Sequence, residues 1–194
     1  MRAGRVLAAV VAAAAAIAAG GTIATQVNRI AATESADYAD HVHQRPADRG
    51  APESVEIPAI GVDAALVPVG LKPDGAVQTP DFGLAGWYEP GPRPGDRGPA
   101  VVLAHVDSKA SGPDVFYRLH ELKAGARISV RYHDATVTFS VTRTEQVDKS
   151  ALPTQRIWGA TKRPVLRLIT CGGQFDQAAH SYLDNVIVYA DLLR

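Results

Sequence analysis

Alternation of apolar and polar residues in the middle of the chain limits the folds that the sequence can adopt. Over 127–132 and 135–142, every second residue is apolar and the residues between them are Arg, Ser or Thr. A side-chain repeat of two residues is typical of a β-strand with one buried face. His133 and Asp134 separate the two runs and suit a turn. The two segments are therefore predicted to form a β-hairpin.

Further short apolar segments lie on both sides of this hairpin. They cover 55–57, 64–71, 83–88, 99–105, 164–170 and 182–192. The chain also contains 13 Pro and 17 Gly, which favour many turns between short strands. A helical turn is predicted at 112–119, where Pro113 and Asp114 suit a helix start. Seven or eight short strands with few helices predict an all-β fold, as a closed β-barrel or a sandwich.

The N-terminal 29 residues have a different character from the rest of the chain. Arg2 and Arg5 precede an uncharged stretch from Val6 to Thr25. At about 1.5 Å per residue, a helix of this length spans a bilayer core of about 30 Å. Residues 1–29 are predicted to be a cytoplasmic flank and transmembrane anchor. Because Ala16–Ala18 resembles a cleavage site, a removed signal peptide is the alternative. Either prediction delivers the rest of the chain outside the cytoplasm.

Residues 30–53 are polar and rich in Ala and Asp, which predicts a flexible tether before a folded domain over 54–194. His41 and His43 in this tether have no third metal ligand nearby in the sequence, so they are interpreted as solvated. We expect no metal and no cofactor. The formal net charge is zero, with 20 basic and 20 acidic residues and no basic run, which argues against a nucleic-acid partner.

Two of the predicted strands lead to residues that can carry chemistry. The run 101–104 leads to His105, and 166–170 leads to Cys171, the one cysteine of the chain. Side chains at the ends of rigid strands are well placed for function. An imidazole can take the thiol proton, stabilise the thiolate and later protonate a leaving amine. His105 and Cys171 are therefore the candidate catalytic pair, and a buried inert thiol is the alternative.

Specific motifs extend this interpretation over 55–192. They include Glu56–Val62, Gly86–Tyr88, Leu103–Ser108 and Leu168–Gly173. These stretches resemble the sortase family of cysteine transpeptidases and are most similar to its class E/F members. The resemblance implies an eight-stranded sortase β-barrel with a Cys-His-Arg active site. It also implies cleavage of a Leu-Pro-x-Thr-Gly-like signal between Thr and Gly, followed by transfer of the acyl group to an amine.

The resemblance further implies partners and a location. The partners would be surface proteins with a C-terminal sorting signal and, as the acceptor amine, a cell-wall precursor or a pilin lysine. The location would be the cell membrane, crossed once, with the catalytic domain outside the cytoplasm.

One departure from the family concerns its arginine on the last strand. That arginine would fall near position 183 or 185, where this chain has Leu183 and Asn185. Asn185 is the candidate to donate a neutral hydrogen bond to the oxyanion of the reaction. Arg143 and Arg167 are alternatives, although Arg167 is interpreted as a surface strand residue.

Two further residues, Asp107 and Trp158, each have two possible roles. Asp107 is expected either to hold the second imidazole nitrogen or, as the favoured reading, to form an Asx turn. Trp158 is expected to line a peptide groove or to plug the core. His120, His133 and His180 are interpreted as bystanders.

Two other functions of the protein stay open: a membrane-tethered β-barrel binding module with an inert thiol, and an L,D-transpeptidase-like enzyme. The latter family's Ser-His-Gly-Cys run is absent.

Overall fold

The structure, a computed structural model, describes residues 49–193. The predicted anchor over 1–29 and most of the predicted tether over 30–53 lie outside the described residues. Within residues 49–193, no helix has the length and apolar character needed to cross a membrane.

Short strands dominate the described residues, as the sequence predicts. The strands are β1 (Ser54–Ile57), β2 (Val62–Val69), β3 (Ala85–Tyr88), β4 (Gly98–Leu103), β5 (Asp107–Ser108), β6 (Gly112–Pro113), β7 (Arg127–Arg131), β8 (Thr136–Asp148), β9 (Pro164–Asp176) and β10 (Ser181–Leu192). The helices are α1 (Thr154–Trp158) and three 3₁₀ helices, at Pro58–Ile60, Leu119–Glu121 and Lys149–Ala151.

Eight of these strands close into a barrel in the order β1-β2-β3-β4-β9-β10-β8-β7. The barrel closes because β1 pairs with β2 on one side and with β7 on the other. The closed barrel is thus confirmed over the sandwich alternative. The predicted hairpin is β7 and β8, in which Ile128 pairs with Phe139 and Val130 with Val137. Two of the pairings are parallel, β2 with β3 and β4 with β9.

Side-chain alternation sorts the apolar residues of the barrel into two clusters. Inward residues such as Ile57, Ile128 and Leu168 are fully buried in the main core. Burying each of them contributes about 1.5–3 kcal/mol. A second, smaller cluster lies on the outer face of the barrel, where Ile157 of α1 packs with Ile187 of β10. We call it the outer cluster.

The prediction of a helical turn over 112–119 is wrong for the first residues of this range. Strands β5 and β6 form a separate two-stranded ribbon there, with Asp107 opposite Pro113 and Ser108 opposite Gly112. Gly112 has a φ of +74°, a left-handed conformation that closes the ribbon and is incompatible with a helix start. Helical backbone appears only from Leu119.

Candidate active site

The ends of β4 and β9 lie side by side. Their parallel pairing runs up to Leu103 opposite Ile169. The amide of Ala104 then donates to the Ile169 carbonyl at 3.3 Å. The buried hydroxyl of Thr170 donates to the Ala104 carbonyl at 2.8 Å. His105 and Cys171 each follow two residues after this last pair of Leu103 and Ile169. They are therefore brought to the same end of the two strands.

Cys171 does not end its strand, which corrects the sequence prediction. β9 continues to Asp176 because it keeps β10 as a partner as far as Ser181. β4 stops at Leu103, so the part of β9 that carries Cys171 has lost its neighbour on that side. The thiol is only half-buried because β4 ends beside it, whereas its own strand, β9, continues.

Alternation along β9 places Cys171 on the outer face of the barrel. Leu166 and Leu168 belong to the main core, whereas Ile169 belongs to the outer cluster. Cys171, two residues after Ile169, faces the same way. Asn185 of β10 is its direct cross-strand partner, so the predicted amide and the thiol are neighbours on one sheet.

A loop segment before β3 holds the imidazole of His105. Its Nε2 atom lies 3.0 Å from the Pro80 carbonyl oxygen. Because a carbonyl can only accept, Nε2 carries the hydrogen, and in the neutral ring the lone pair is on Nδ1. The Phe82 ring stacks on the imidazole with centroids 4.2 Å apart. Nδ1 is therefore the ring nitrogen that is left free to accept a proton.

Asp114 fixes this segment to the β5–β6 ribbon. The amide of Gly83 donates to Asp114 Oδ1 at 2.9 Å. The other carboxylate oxygen, Oδ2, is buried and has no hydrogen-bond partner among the residues that the structure describes. The sequence did not point to Pro80, Phe82 or Asp114 as site residues, because their contacts with His105 and the ribbon depend on the folded path of the loop.

Both readings of Asp107 are wrong. Asp107 lies in β5, and its Oδ2 atom accepts a hydrogen bond from the Tyr182 hydroxyl at 2.5 Å. This hydrogen bond to a carboxylate raises the pKa of Tyr182 to about 12. The pair therefore joins the β5–β6 ribbon to β10 of the barrel. A hydrogen bond between two residues 75 positions apart could not be predicted from the sequence pattern.

A β-bulge follows the thiol directly. The pairing shifts between Tyr182, opposite Phe175, and Asp184, opposite Gly172, so β9 contains one extra residue. Gly173 supplies the left-handed backbone of the bulge, with a φ of +76°. A Cβ atom there would lie only 2.2 Å from Asp184 Oδ2. The bulge therefore requires glycine at this position.

Neither arginine considered as a substitute lies at the thiol. Arg167 is four residues before Cys171 on β9, about 13 Å along the strand. It is buried beneath α1, donating to the Arg156 carbonyl at 3.1 Å, so its interpretation as a surface residue is wrong. Arg143 is opposite Tyr189 and pairs with Glu145 at 3.6 Å. Leu183, at the other family position, is 44% exposed.

Trp158 lies outside the main core, so it does not plug it. It is half-buried in the outer cluster and packs edge-on against Tyr88, with centroids 5.0 Å apart. Ile169, a member of the same cluster, is two residues before Cys171. An apolar surface therefore leads from α1 towards the thiol.

Sequence and structure comparisons agree on the relatives of this barrel. A family model described as Sortase domain matches residues 55–193. No curated protein sequence matches the chain.

Three solved structures illustrate the similarity of fold. Sortase C2 of pilus island 1 from Group B Streptococcus is 21% identical, with a TM-score of 0.56 and coverage of 73% of each chain. A lid mutant of sortase A from Corynebacterium diphtheriae is 18% identical, with a TM-score of 0.58 and coverage of 75% of this chain and 71% of that one. Sortase A from Listeria monocytogenes is 17% identical, with a TM-score of 0.55 and coverage of 74% and 88%.

Proposed function

Because the chain belongs to the sortase family of cysteine transpeptidases, we propose that it cleaves a Leu-Pro-x-Thr-Gly-like sorting signal through an acyl-thioester on Cys171. The observation that carries this proposal is the common location of His105 and Cys171 at the end of the β4–β9 pairing. A thiol beside a neutral imidazole is the arrangement that makes a sulfur nucleophile near neutral pH.

The proposed reaction has two halves. The Cys171 proton passes to Nδ1 of His105, and the thiolate attacks the carbonyl carbon between Thr and Gly. The C–N bond then breaks, the imidazolium protonates the leaving Gly amine, and the Thr carbonyl stays on sulfur as a thioester. In the second half an acceptor amine attacks the thioester and gives a proton to His105. The C–S bond breaks, and the sulfur leaves as the thiol after reprotonation.

Asn185 is proposed to stabilise the tetrahedral intermediate. Its position opposite Cys171 brings a carboxamide beside the carbon under attack. An amide N–H can donate to the developing oxyanion, although without the charge of a guanidinium. A neutral donor in place of the family's arginine predicts slow turnover, with the nucleophile itself intact.

The outer cluster is proposed to bind the apolar part of the signal. Ile169, Trp158 and Leu152 are each only partly buried and lie on the same face as the thiol. Leu and Pro side chains of an extended peptide would bury apolar surface against them. The Thr carbonyl, two residues after Pro, would then reach Cys171.

The proposal includes a location and partners. Residues 1–29 would anchor the chain in the cell membrane, with the barrel on the extracytoplasmic side, consistent with the uncharged stretch from Val6 to Thr25. The substrates would be surface proteins with a C-terminal sorting signal. The acceptor would be an amine of a cell-wall precursor or of a pilin lysine.

Mass spectrometry of the purified protein with Leu-Pro-x-Thr-Gly and Leu-Ala-x-Thr-Gly peptides tests the proposal. We expect an adduct on Cys171 with the mass of the N-terminal peptide fragment, and none with Cys171→Ala. A folded protein that forms no adduct with any peptide and whose thiol resists alkylation would instead be a binding module. An adduct formed equally by Cys171→Ala would exclude the thiol as nucleophile.

A further inference from the structure

A polar cavity lies on the outer face of the barrel, away from Cys171. It has a volume of about 450 Å³ between α1 and strands β8, β9 and β10. Arg143, Arg156 and Arg167 line it from three different elements, and Asp191 contributes the one lining carboxylate. We call it the arginine cavity. The outer cluster separates it from the thiol, since Ile169 lies between Arg167 and Cys171 on β9.

Arg167 is the unusual member of this cavity because its charge is buried. The residue is only 9% exposed. Its Nε donates to the Arg156 carbonyl and its Nη1 to the Leu166 carbonyl, both at 3.1 Å. Its guanidinium carbon lies 4.6 Å from the centre of the Tyr189 ring. Burial lowers the pKa of this guanidinium, as expected for a charge removed from water.

Arg167 has no carboxylate within ion-pair distance among residues 49–193, because the nearby acids are engaged elsewhere. Glu145 pairs with Arg156 at 3.1 Å and with Arg143 at 3.6 Å. Asp191 pairs with Arg163 at 3.6 Å. The two carboxylates of Glu145 and Asp191 are thus paired with Arg143, Arg156 and Arg163, and neither forms an ion pair with Arg167. Arg167 is therefore held by two carbonyls and an aromatic ring, and an anion that approached it would stabilise its buried charge further.

The chemistry of the cavity favours one class of anion. Guanidinium groups approach from β8, β9 and α1, so a ligand needs acceptor oxygens that point in several directions. A tetrahedral phosphate offers this, whereas the two oxygens of a carboxylate lie in one plane. The volume is on the order of fifteen waters at ~30 Å³ each, which leaves room beyond a phosphate group for an organic substituent.

We propose that the arginine cavity binds a phosphate-type oxyanion, as inorganic phosphate or as the phosphate group of a small ester. The site goes beyond the proposed transpeptidation and does not depend on it. Binding would neutralise Arg167 and join α1 to β8 and β10. Because α1 carries Trp158 of the outer cluster, the ligand would also fix the apolar surface that leads to the thiol.

Isothermal titration calorimetry on the full chain tests the site with three probes at constant ionic strength: inorganic phosphate, glycerol 3-phosphate and succinate. We expect saturable binding of both phosphates at one site per chain, and at least tenfold weaker binding of succinate. Tighter binding of the ester than of inorganic phosphate would assign the site to a phosphorylated molecule. The reverse order would assign it to free phosphate.

Matched arginine variants locate the binding. Arg156→Gln and Arg143→Gln remove exposed guanidinium groups, so they should keep the fold, and each should weaken phosphate binding by about tenfold. Arg118→Gln is the control, because Arg118 is similarly exposed and also pairs with a glutamate, at 2.7 Å. No saturable binding, equal binding of succinate, or equal losses in all three variants would overturn the proposal. These readouts involve no peptide cleavage, so failed transpeptidation would leave them unaffected.

Discussion

The ring of Phe82 stacks on the imidazole of His105, with the two planes inclined by 27°. Phe82 is 53% exposed. A large part of its apolar ring therefore contacts solvent while the ring stacks on the proposed catalytic base. The contact joins the loop before β3 to the end of β4. The Phe82 ring therefore covers one face of the imidazole.

Phe82→Ala should uncover His105. A stacked aromatic pair contributes about 0.5–1.5 kcal/mol, so carbethoxylation of His105 by diethyl pyrocarbonate should be about two- to tenfold faster in the variant. Peptide mass mapping separates His105 from the other histidines. Phe82→Tyr, which keeps a ring, should react like the wild type. An unchanged rate in Phe82→Ala would mean that the stack does not control access.

Asn185→Ala should lower kcat for peptide cleavage by about 10²-fold, because loss of an oxyanion donor typically has an effect of this size. Steady-state kinetics with the best peptide measure it. Gln146→Ala removes an amide on neighbouring β8 that contacts Asp184 instead of the thiol, and it should have little effect. Equal activity of wild type and Asn185→Ala would assign the oxyanion contact to another group.

Asp107→Asn should shift the titration of Tyr182. The hydrogen bond to Asp107 raises the pKa of Tyr182 to about 12, above its ordinary value of 10.0. A raised folded-state pKa stabilises the fold below about pH 10, and this stability is lost as the pH rises through 12. In Asp107→Asn the pKa should fall towards 10. Carbon-13 NMR of labelled tyrosine measures it. Asp134→Asn is the charge-removal control, because Asp134 lies at the β7–β8 turn and it is the other end of β8 that pairs with β10 near Tyr182.

Thr170→Val should destabilise the barrel and separate the ends of β4 and β9. The buried hydroxyl loses its bond to Ala104, which leaves a carbonyl without a partner and costs about 1–3 kcal/mol. Urea unfolding measures this cost, and the adduct rate of Cys171 should fall as well. Thr142→Val also removes a hydroxyl–carbonyl bond, to Tyr189, but at an exposed site, so its cost should be smaller.

Gly173→Ala should distort the bulge beside the thiol. The new Cβ would clash with Asp184, and its backbone is left-handed, so we expect a loss of about 1–3 kcal/mol or more. Gly75→Ala has a similar φ of +84° with open space around its Cβ position, and it isolates the conformational part of the cost. Equal losses in both variants by urea unfolding would show that the clash with Asp184 is relieved without cost.

The sequence predicted the parts of this structure that depend on local pattern. The hairpin of β7 and β8 follows from side-chain alternation, and the two strands that lead to His105 and Cys171 follow from short apolar runs. Contacts between distant segments could not be read in this way. The Tyr182–Asp107 bond and the contact of Pro80 with His105 depend on how loops return to the barrel. Arg167 was assigned to the surface because alternation identifies an outward face but does not reveal that α1 covers it.

The parallel pairing of β4 with β9 also bears on when the thiol becomes reactive. Ala104 and Thr170, whose bond ties the two ends together, are 66 residues apart in the chain. Contacts of such long sequence separation form slowly, because a large loop must be ordered before they stabilise the fold. A newly made chain is therefore expected to carry Cys171 without its imidazole until the barrel has closed. Under the proposed mechanism, folding and activation would then be a single event, and a partly folded chain would not yet form a thioester with a sorting signal.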